Sequence, residues 1–195
     1  MPTIVVGGSG RKVGKTSLIC GLIAALPECR WTAVKITSHD HGKSESIWEE
    51  TQAGQGTDTA RYLSAGARRA LLVTVSDGVI PTAELQAAVA PGRWLIFESN
   101  QMLSPAKPDV LLGVIGPEET ASKPSFAAIR ERADAFVCTS LPSPRPTLQD
   151  DSCPVFVLPD LLHISSDLIG WMRARLGLSP RALRAATCPW EKARS

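Results

Sequence analysis

The chain has 195 residues, 44% of them hydrophobic and 21% charged, with a formal net charge of +2. That balance excludes an intrinsically disordered chain, and so small a charge gives no reason to expect a nucleic-acid partner. The length suits one domain built round a full core, and with no apolar run near the roughly 18 residues needed to span a bilayer and no basic-then-apolar leader, a cytoplasmic protein without membrane contact is expected.

The apolar run Ile4-Val5-Val6 reads as a first strand, and it enters the glycine-rich turn Gly7-Gly8-Ser9-Gly10-Arg11-Lys12-Val13-Gly14. Lys15-Thr16-Ser17 follows and opens onto the apolar, helix-forming stretch Leu18 to Leu26. A strand, a glycine-rich turn, Gly-Lys-Thr and a helix make a phosphate-binding loop: glycines let backbone N–H groups converge, and the helix adds its positive end. Gly8, Gly10, Arg11, Lys12, Val13, Gly14, Lys15, Thr16 and Ser17 are the candidate nucleotide-binding residues. Lys15 is placed to reach the β- and γ-phosphates, and the Thr16 hydroxyl to ligate Mg²⁺. The usual spacing puts the first glycine where Ser9 stands, so counting from Gly8 leaves one extra residue in the loop.

Trp31 to Thr37 reads as a second strand, ending in Ser38-His39-Asp40-His41-Gly42. In parallel sheets functional side chains gather at the carboxyl ends of strands, which nominates Lys35 for the phosphates and Asp40 as a Mg²⁺ carboxylate. His39 and His41 flank Asp40, but His163 is the only other histidine, so phosphate or substrate contacts are favoured over zinc. The polar stretch from Gly42 to Gly56 reads as a mobile loop or short helix over the site. Gly56-Thr57-Asp58-Thr59 then starts a helix that Gly66 closes, with Asp58 as a cap by default.

Arg68 to Val75 is expected as a third strand and Pro81 to Val89 as a helix. Trp94 to Phe97 is a fourth strand that ends in Glu98, where nucleotide hydrolases keep a Mg²⁺ carboxylate. The loop from Ser99 to Pro108 fits dimerisation or substrate closure equally. A fifth strand spans Asp109 to Gly116, a helix Ser122 to Arg132 and a sixth strand Ala133 to Ser140, after which Thr139, Ser140 and Pro142-Ser143-Pro144 are candidates for reading a base. Leu141 to Cys153 reads as a rigid irregular loop, Pro154 to Leu158 as a last short strand and Ser165 to Leu176 as a closing helix. Residues 1–178 are expected to form the nucleotide-binding domain and 179–195 a basic tail. The five cysteines, Cys20, Cys29, Cys138, Cys153 and Cys188, show no paired short spacing, so neither a zinc site nor a disulfide framework is expected.

The loop, Ala33-Val34-Lys35-Ile36-Thr37-Ser38-His39-Asp40-His41-Gly42, Gly56-Thr57-Asp58-Thr59-Ala60-Arg61 and Ala65-Gly66-Ala67 together resemble the MobB family of molybdopterin-guanine dinucleotide biosynthesis adaptors over roughly the first 75 residues. The resemblance implies a GTP-binding homodimer that assists attachment of GMP to molybdopterin, with a guanylyltransferase-type protein partner and weak hydrolysis. The longer loop is also similar to dethiobiotin synthetase and its cobyrinic acid amide synthase relatives, which implies an ATP-dependent ligase or kinase for a small carboxylated metabolite. In that comparison Lys35 matches a lysine that helps bind activated carboxyl and phosphate groups. A partner-activated nucleotide switch is a third reading. All three place the chain in the P-loop NTPase-type class, a three-layer α/β/α fold with a mostly parallel sheet of about seven strands. Its cofactors are expected to be Mg²⁺ with GTP or ATP, its catalytic residues Lys15, Lys35 and Asp40, and its metal ligands Thr16, Asp40 and Glu98. No Asn-Lys-x-Asp guanine signature is present to name the base.

Overall fold

The computed structural model describes residues 1–38, 45–76, 78–90, 92, 94–101, 108–116, 124–140 and 153–179. Strands and helices alternate along the chain: β1 Thr3–Gly8, α1 Lys15–Ala25, β2 Thr32–Thr37, β3 Ile47–Glu49, α2 Asp58–Ser64, β4 Arg69–Thr74 and α3 Thr82–Val89. β5 Leu95–Glu98, β6 Val110–Ile115, α4 Pro124–Arg132, β7 Ala135–Cys138, β8 Val155–Val157 and α5 Ser166–Arg175 complete it. The strands form one sheet in the order β3-β4-β2-β5-β1-β6-β7-β8. Every pairing is parallel except that of β3 with β4.

The strands are apolar almost throughout because helices cover both faces, and alternation along each strand assigns its side chains to one face or the other. Ile4, Val6, Ala33, Ile96, Leu112 and Val137 pack with Leu18, Leu22 and Ile23 of α1, Tyr62 of α2 and Leu168 and Met172 of α5. Val5, Val34, Leu71, Phe97, Leu111 and Phe136 pack on the opposite face with Leu85 and Val89 of α3 and Phe126 and Ile129 of α4. This is the expected α/β/α arrangement, with three layers around a mostly parallel sheet.

Among the described residues the sheet has eight strands, where about seven were expected. The additional one, β3, lies in the stretch read as a loop or short helix. It runs antiparallel along the open edge of β4, pairing Ile47 with Val73 and Glu49 with Leu71. Arg69 of β4 secures it, its Nε and Nη2 donating to the two Glu49 oxygens at 2.8 and 2.7 Å. A three-residue strand held by a cross-strand ion pair leaves no periodicity to read in the sequence.

Cys20, Cys29 and Cys138 are buried and form no disulfide among the described residues. Burial pushes the Cys20 thiol up to about 11 and that of Cys29 to about 12, so both stay protonated. No helix among the described residues is long and apolar enough to cross a membrane. Thr139 and Ser140 lie exposed at the end of β7, while the 142–144 turn and the tail from 180 onward lie outside the described residues.

Candidate functional site

β1 lies between β5 and β6 and delivers the glycine-rich loop to the carboxyl edge of the sheet. The reversal from strand to helix needs left-handed backbone at two points. Gly14, at the N-cap of α1, has φ 96°, and Lys12 has φ 58°. Ser9, standing where a glycine was anticipated, has no such φ; its buried hydroxyl instead accepts from the Gly116 N–H at 3.0 Å. The loop closes tightly because Gly8 has no side chain: a Cβ there would meet Val13 Cγ2 at 2.8 Å and Lys15 Cγ at 2.9 Å. No side chain caps α1, and its first turn holds no acidic residue, so its amides face the cleft under a positive end. Lys15 folds back over them, its Nζ donating to the Gly10 carbonyl at 2.9 Å.

The loop borders a cleft of about 700 Å³. Gly10, Arg11, Lys12, Gly14, Lys15, Thr16 and Ser17 form one wall, while Gly8 and Val13 lie behind it and shape it. Lys35, Asp58, Arg61 and Glu98 form the floor. The register of the sheet assembles that floor, since β2 and β5 pair Lys35 with Glu98 and both project to the α1 side. Lys35 Nζ donates to Glu98 Oε1 at 3.0 Å and to Asp58 Oδ2 at shorter range. Thr16 Oγ1 donates to Glu98 Oε2 at 2.7 Å, and the fully buried Tyr62 hydroxyl donates to the same oxygen. Arg61 completes the cluster, with Nη1 at 3.7 Å from Asp58 Oδ1 and Nη2 donating to Ser17 Oγ at 3.3 Å.

These contacts set the protonation states. Burial lowers the affinity of the Lys35 amine for its proton, but the Glu98 and Asp58 carboxylates outweigh it and hold the group above its ordinary value. Burial likewise pushes the Asp58 carboxyl up, and the Lys35 ammonium, the Thr16 hydroxyl and Arg61 more than offset it. Asp58 is therefore ionised below the usual carboxylate range. Tyr62 is shifted well above 10, first by burial and then by the adjacent Glu98 charge.

The structure brings Lys15, Thr16, Lys35 and Glu98 together. Lys35 bridges two carboxylates. Asp40, His39 and His41 lie outside the described residues. His163 is exposed on the β8–α5 loop, 2.7 Å from Asp160, far in sequence from the cleft residues. The carboxylate found beside Thr16 and Glu98 is Asp58, and it is not the cap of α2. That role belongs to Thr57, whose hydroxyl accepts from the Ala60 N–H at 3.1 Å. Sequence reasoning passed over Tyr62, Arg61 and Asn100. Tyr62 and Arg61 sit on the helix that Asp58 opens, and a helical spacing of three and four from Asp58 was the available signal for a shared face. Asn100 left no such signal.

Thr16, Asp58 and Glu98 offer oxygen alone, the donor type Mg²⁺ prefers. Among the described residues no cluster of three His, Cys, Asp or Glu exists to cage a metal, and Mg²⁺ at a nucleotide site needs none because water and phosphate complete its shell. The residues fit that ion.

No family model and no curated protein sequence matches the chain. By structure, it is similar to a MobB protein homolog from Bacillus stearothermophilus, at 18% identity and a TM-score of 0.50, over 91% of this chain and 99% of that one. At that identity the likeness speaks for the fold alone, a mixed α/β architecture around a mostly parallel sheet.

Proposed function

We propose that the chain is a Mg²⁺-dependent nucleoside-triphosphate-binding protein of the MobB kind, with weak hydrolysis of its nucleotide. The observation that carries the reading is the 2.7 Å bond between the Thr16 hydroxyl and Glu98, which sets a metal-type oxygen pair beside the uncapped, cationic start of α1. In this reading the loop amides and Lys15 hold the phosphates. Thr16, Glu98 and Asp58 hold Mg²⁺, which neutralises phosphate charge when bound. With the carboxylates so engaged, Lys35 turns to charge developing on the γ-phosphate. Asp58 joins Asp40, the carboxylate expected from the sequence, as a candidate ligand for the same ion. The resemblance of the first 75 residues, together with the fold, supports GTP as the nucleotide, a homodimer and a guanylyltransferase-type partner.

A second reading is an ATP-dependent ligase or kinase acting on a small carboxylated metabolite. It is favoured by the part of the cleft beyond the charged floor, where Thr37, Ser38, Ser99 and Gln101 leave room for an acceptor molecule.

Calorimetric titration with GTP and with ATP, each with and without Mg²⁺, tests both. Mg²⁺-dependent binding that favours GTP upholds the first reading; preference for ATP, with turnover that rises in the presence of one carboxylated metabolite, moves the assignment to the second. Lys15→Ala is expected to weaken binding by about 1.5–3 kcal/mol, the worth of a charged hydrogen bond, and unchanged binding would remove the phosphate-loop assignment.

A further inference from the structure

β5 ends at Glu98, yet the residues that follow stay on the phosphate loop. The Ser99 N–H donates to the Val6 carbonyl at 3.1 Å, and Leu95 N–H donates to the Pro2 carbonyl at 3.0 Å, so even-numbered peptide groups of β1 face β5. Gly8, two residues beyond Val6, presents its N–H and C=O in that same direction. The register of the two strands stops at Val6 opposite Glu98, so β5 has no backbone left to meet Gly8. The Asn100 side chain takes the backbone's place. Its Oδ1 accepts from the Gly8 N–H at 2.8 Å, and its Nδ2 donates to the Gly8 carbonyl at 2.8 Å. A carboxamide carries one acceptor and a pair of donors in a plane, which is what a peptide edge demands. Nδ2 also lies 3.3 Å from the Ser125 hydroxyl in the first turn of α4. The missing side chain of Gly7 is where Ile129 of α4 packs, since a Cβ there would meet Ile129 Cδ1 at 2.4 Å, with Asn100 Oδ1 next to it at 3.3 Å.

Glu98 and Asn100 therefore grip the two ends of one loop. Asn100 holds its start at Gly8, and Glu98 holds its end at Thr16. We propose that Asn100 is a positioning residue of the phosphate loop, fixing the Gly8 peptide and through it the direction in which the amides from Arg11 to Lys15 point. The binding half of this inference rests on the nucleotide reading above; the geometric half does not. Because phosphate recognition by backbone amides depends on their convergence, freeing one end of the loop weakens binding without touching the ligand.

The test compares wild type, Asn100→Ala and Asn100→Asp by amide NMR without ligand, and by calorimetry with Mg²⁺ and whichever of GTP or ATP wild type binds. In Asn100→Ala the Gly8 amide is expected to exchange at least tenfold faster, the Arg11 to Lys15 amide resonances to move or broaden, and affinity to fall tenfold or more. The melting midpoint should drop by less than about 4 °C, as for the loss of a single bond pair. Asn100→Asp keeps the acceptor for the Gly8 N–H but turns an oxygen toward the Gly8 carbonyl, so Gly8 protection should survive while affinity falls at least as far. Wild-type resonances for Arg11 to Lys15 in Asn100→Ala would overturn the proposal, as would affinity within twofold of wild type. If wild type binds neither nucleotide, the nucleotide reading fails, and the NMR comparison alone upholds or overturns the positioning role.

Discussion

Tyr62 gives the floor of the cleft its most measurable property. It is the single tyrosine of the chain, fully buried, and its hydroxyl donates to a carboxylate, so ionising it would place two negative charges side by side without water. Tyrosinate absorbance is therefore expected to stay absent through pH 10, the ordinary value, and to appear only together with the loss of structure. Ionisation in the folded protein near the ordinary value would contradict the buried bond. Tyr62→Phe removes one of the partners of Glu98 and is expected to cost about 1.5–3 kcal/mol in chemical denaturation, as for a hydrogen bond to a charged group. At this scale the placement of Lys15, Thr16 and Glu98 on the cleft was legible because they belong to the glycine-loop motif or close an apolar strand, and that of Lys35 because it lies near the carboxyl end of its strand. Asp58 was visible but misassigned: Thr57 and Asp58 are both good caps, and a one-residue shift in where α2 begins decides which carboxylate or hydroxyl turns outward. Asn100 was not legible at all, since its partner is fixed by where β5 stops relative to β1, a matter of register between strands far apart in sequence.

Among the elements, the turn from β1 into α1 is the most constrained. Gly14 is held in left-handed backbone, and its missing Cβ is where Leu161 of the β8–α5 loop packs, since a Cβ would come 2.2 Å from Leu161 Cδ1. Leu161 itself is buried in the α1-side core. Gly14→Ala thus meets two penalties, about 1–2 kcal/mol for left-handed backbone and a further steric term from Leu161. Pairing it with Leu161→Ala should relieve the steric term and leave the backbone term, so the two changes are expected to be non-additive in a denaturation cycle. Strict additivity would mean that Leu161 does not brace the loop. The element order was legible because fully buried parallel strands read as short apolar runs between helical ones. β3 escaped because its stability comes from the open edge of β4 and the Arg69–Glu49 pair rather than from its own composition.

For the whole molecule, the ionised floor sets the pH range of stability. Asp58 and Glu49 have folded values below the ordinary 3.8 and 4.5, so their contribution is complete above those values and is lost as pH falls through the lower folded ones. Lys35 and Tyr62 have folded values above 10.5 and 10, so theirs is complete below those values and is lost as pH rises beyond them. Unfolding free energy is expected to be flat between about pH 5 and pH 8 and to decline on both sides, the alkaline decline beginning as the Cys20 and Cys29 thiols, raised by burial from 9.0, ionise in the unfolded chain. A steady slope through neutrality, measured by denaturant midpoints, would show that other groups govern the fold.

The site is continuous in neither time nor sequence. Gly8 meets a residue 92 positions later, Thr16 one 82 later and Lys35 one 63 later. During synthesis from the amino terminus, the glycine loop and its lysine emerge well before the acidic strand end that balances and braces them. Until β5 inserts between β1 and β2, the nascent chain carries the glycine-rich loop without the Asn100 and Glu98 contacts that brace its two ends. Insertion of that strand closes the central gap in the sheet and finishes the cleft in the same step, so the cleft exists only in a chain whose middle has already folded.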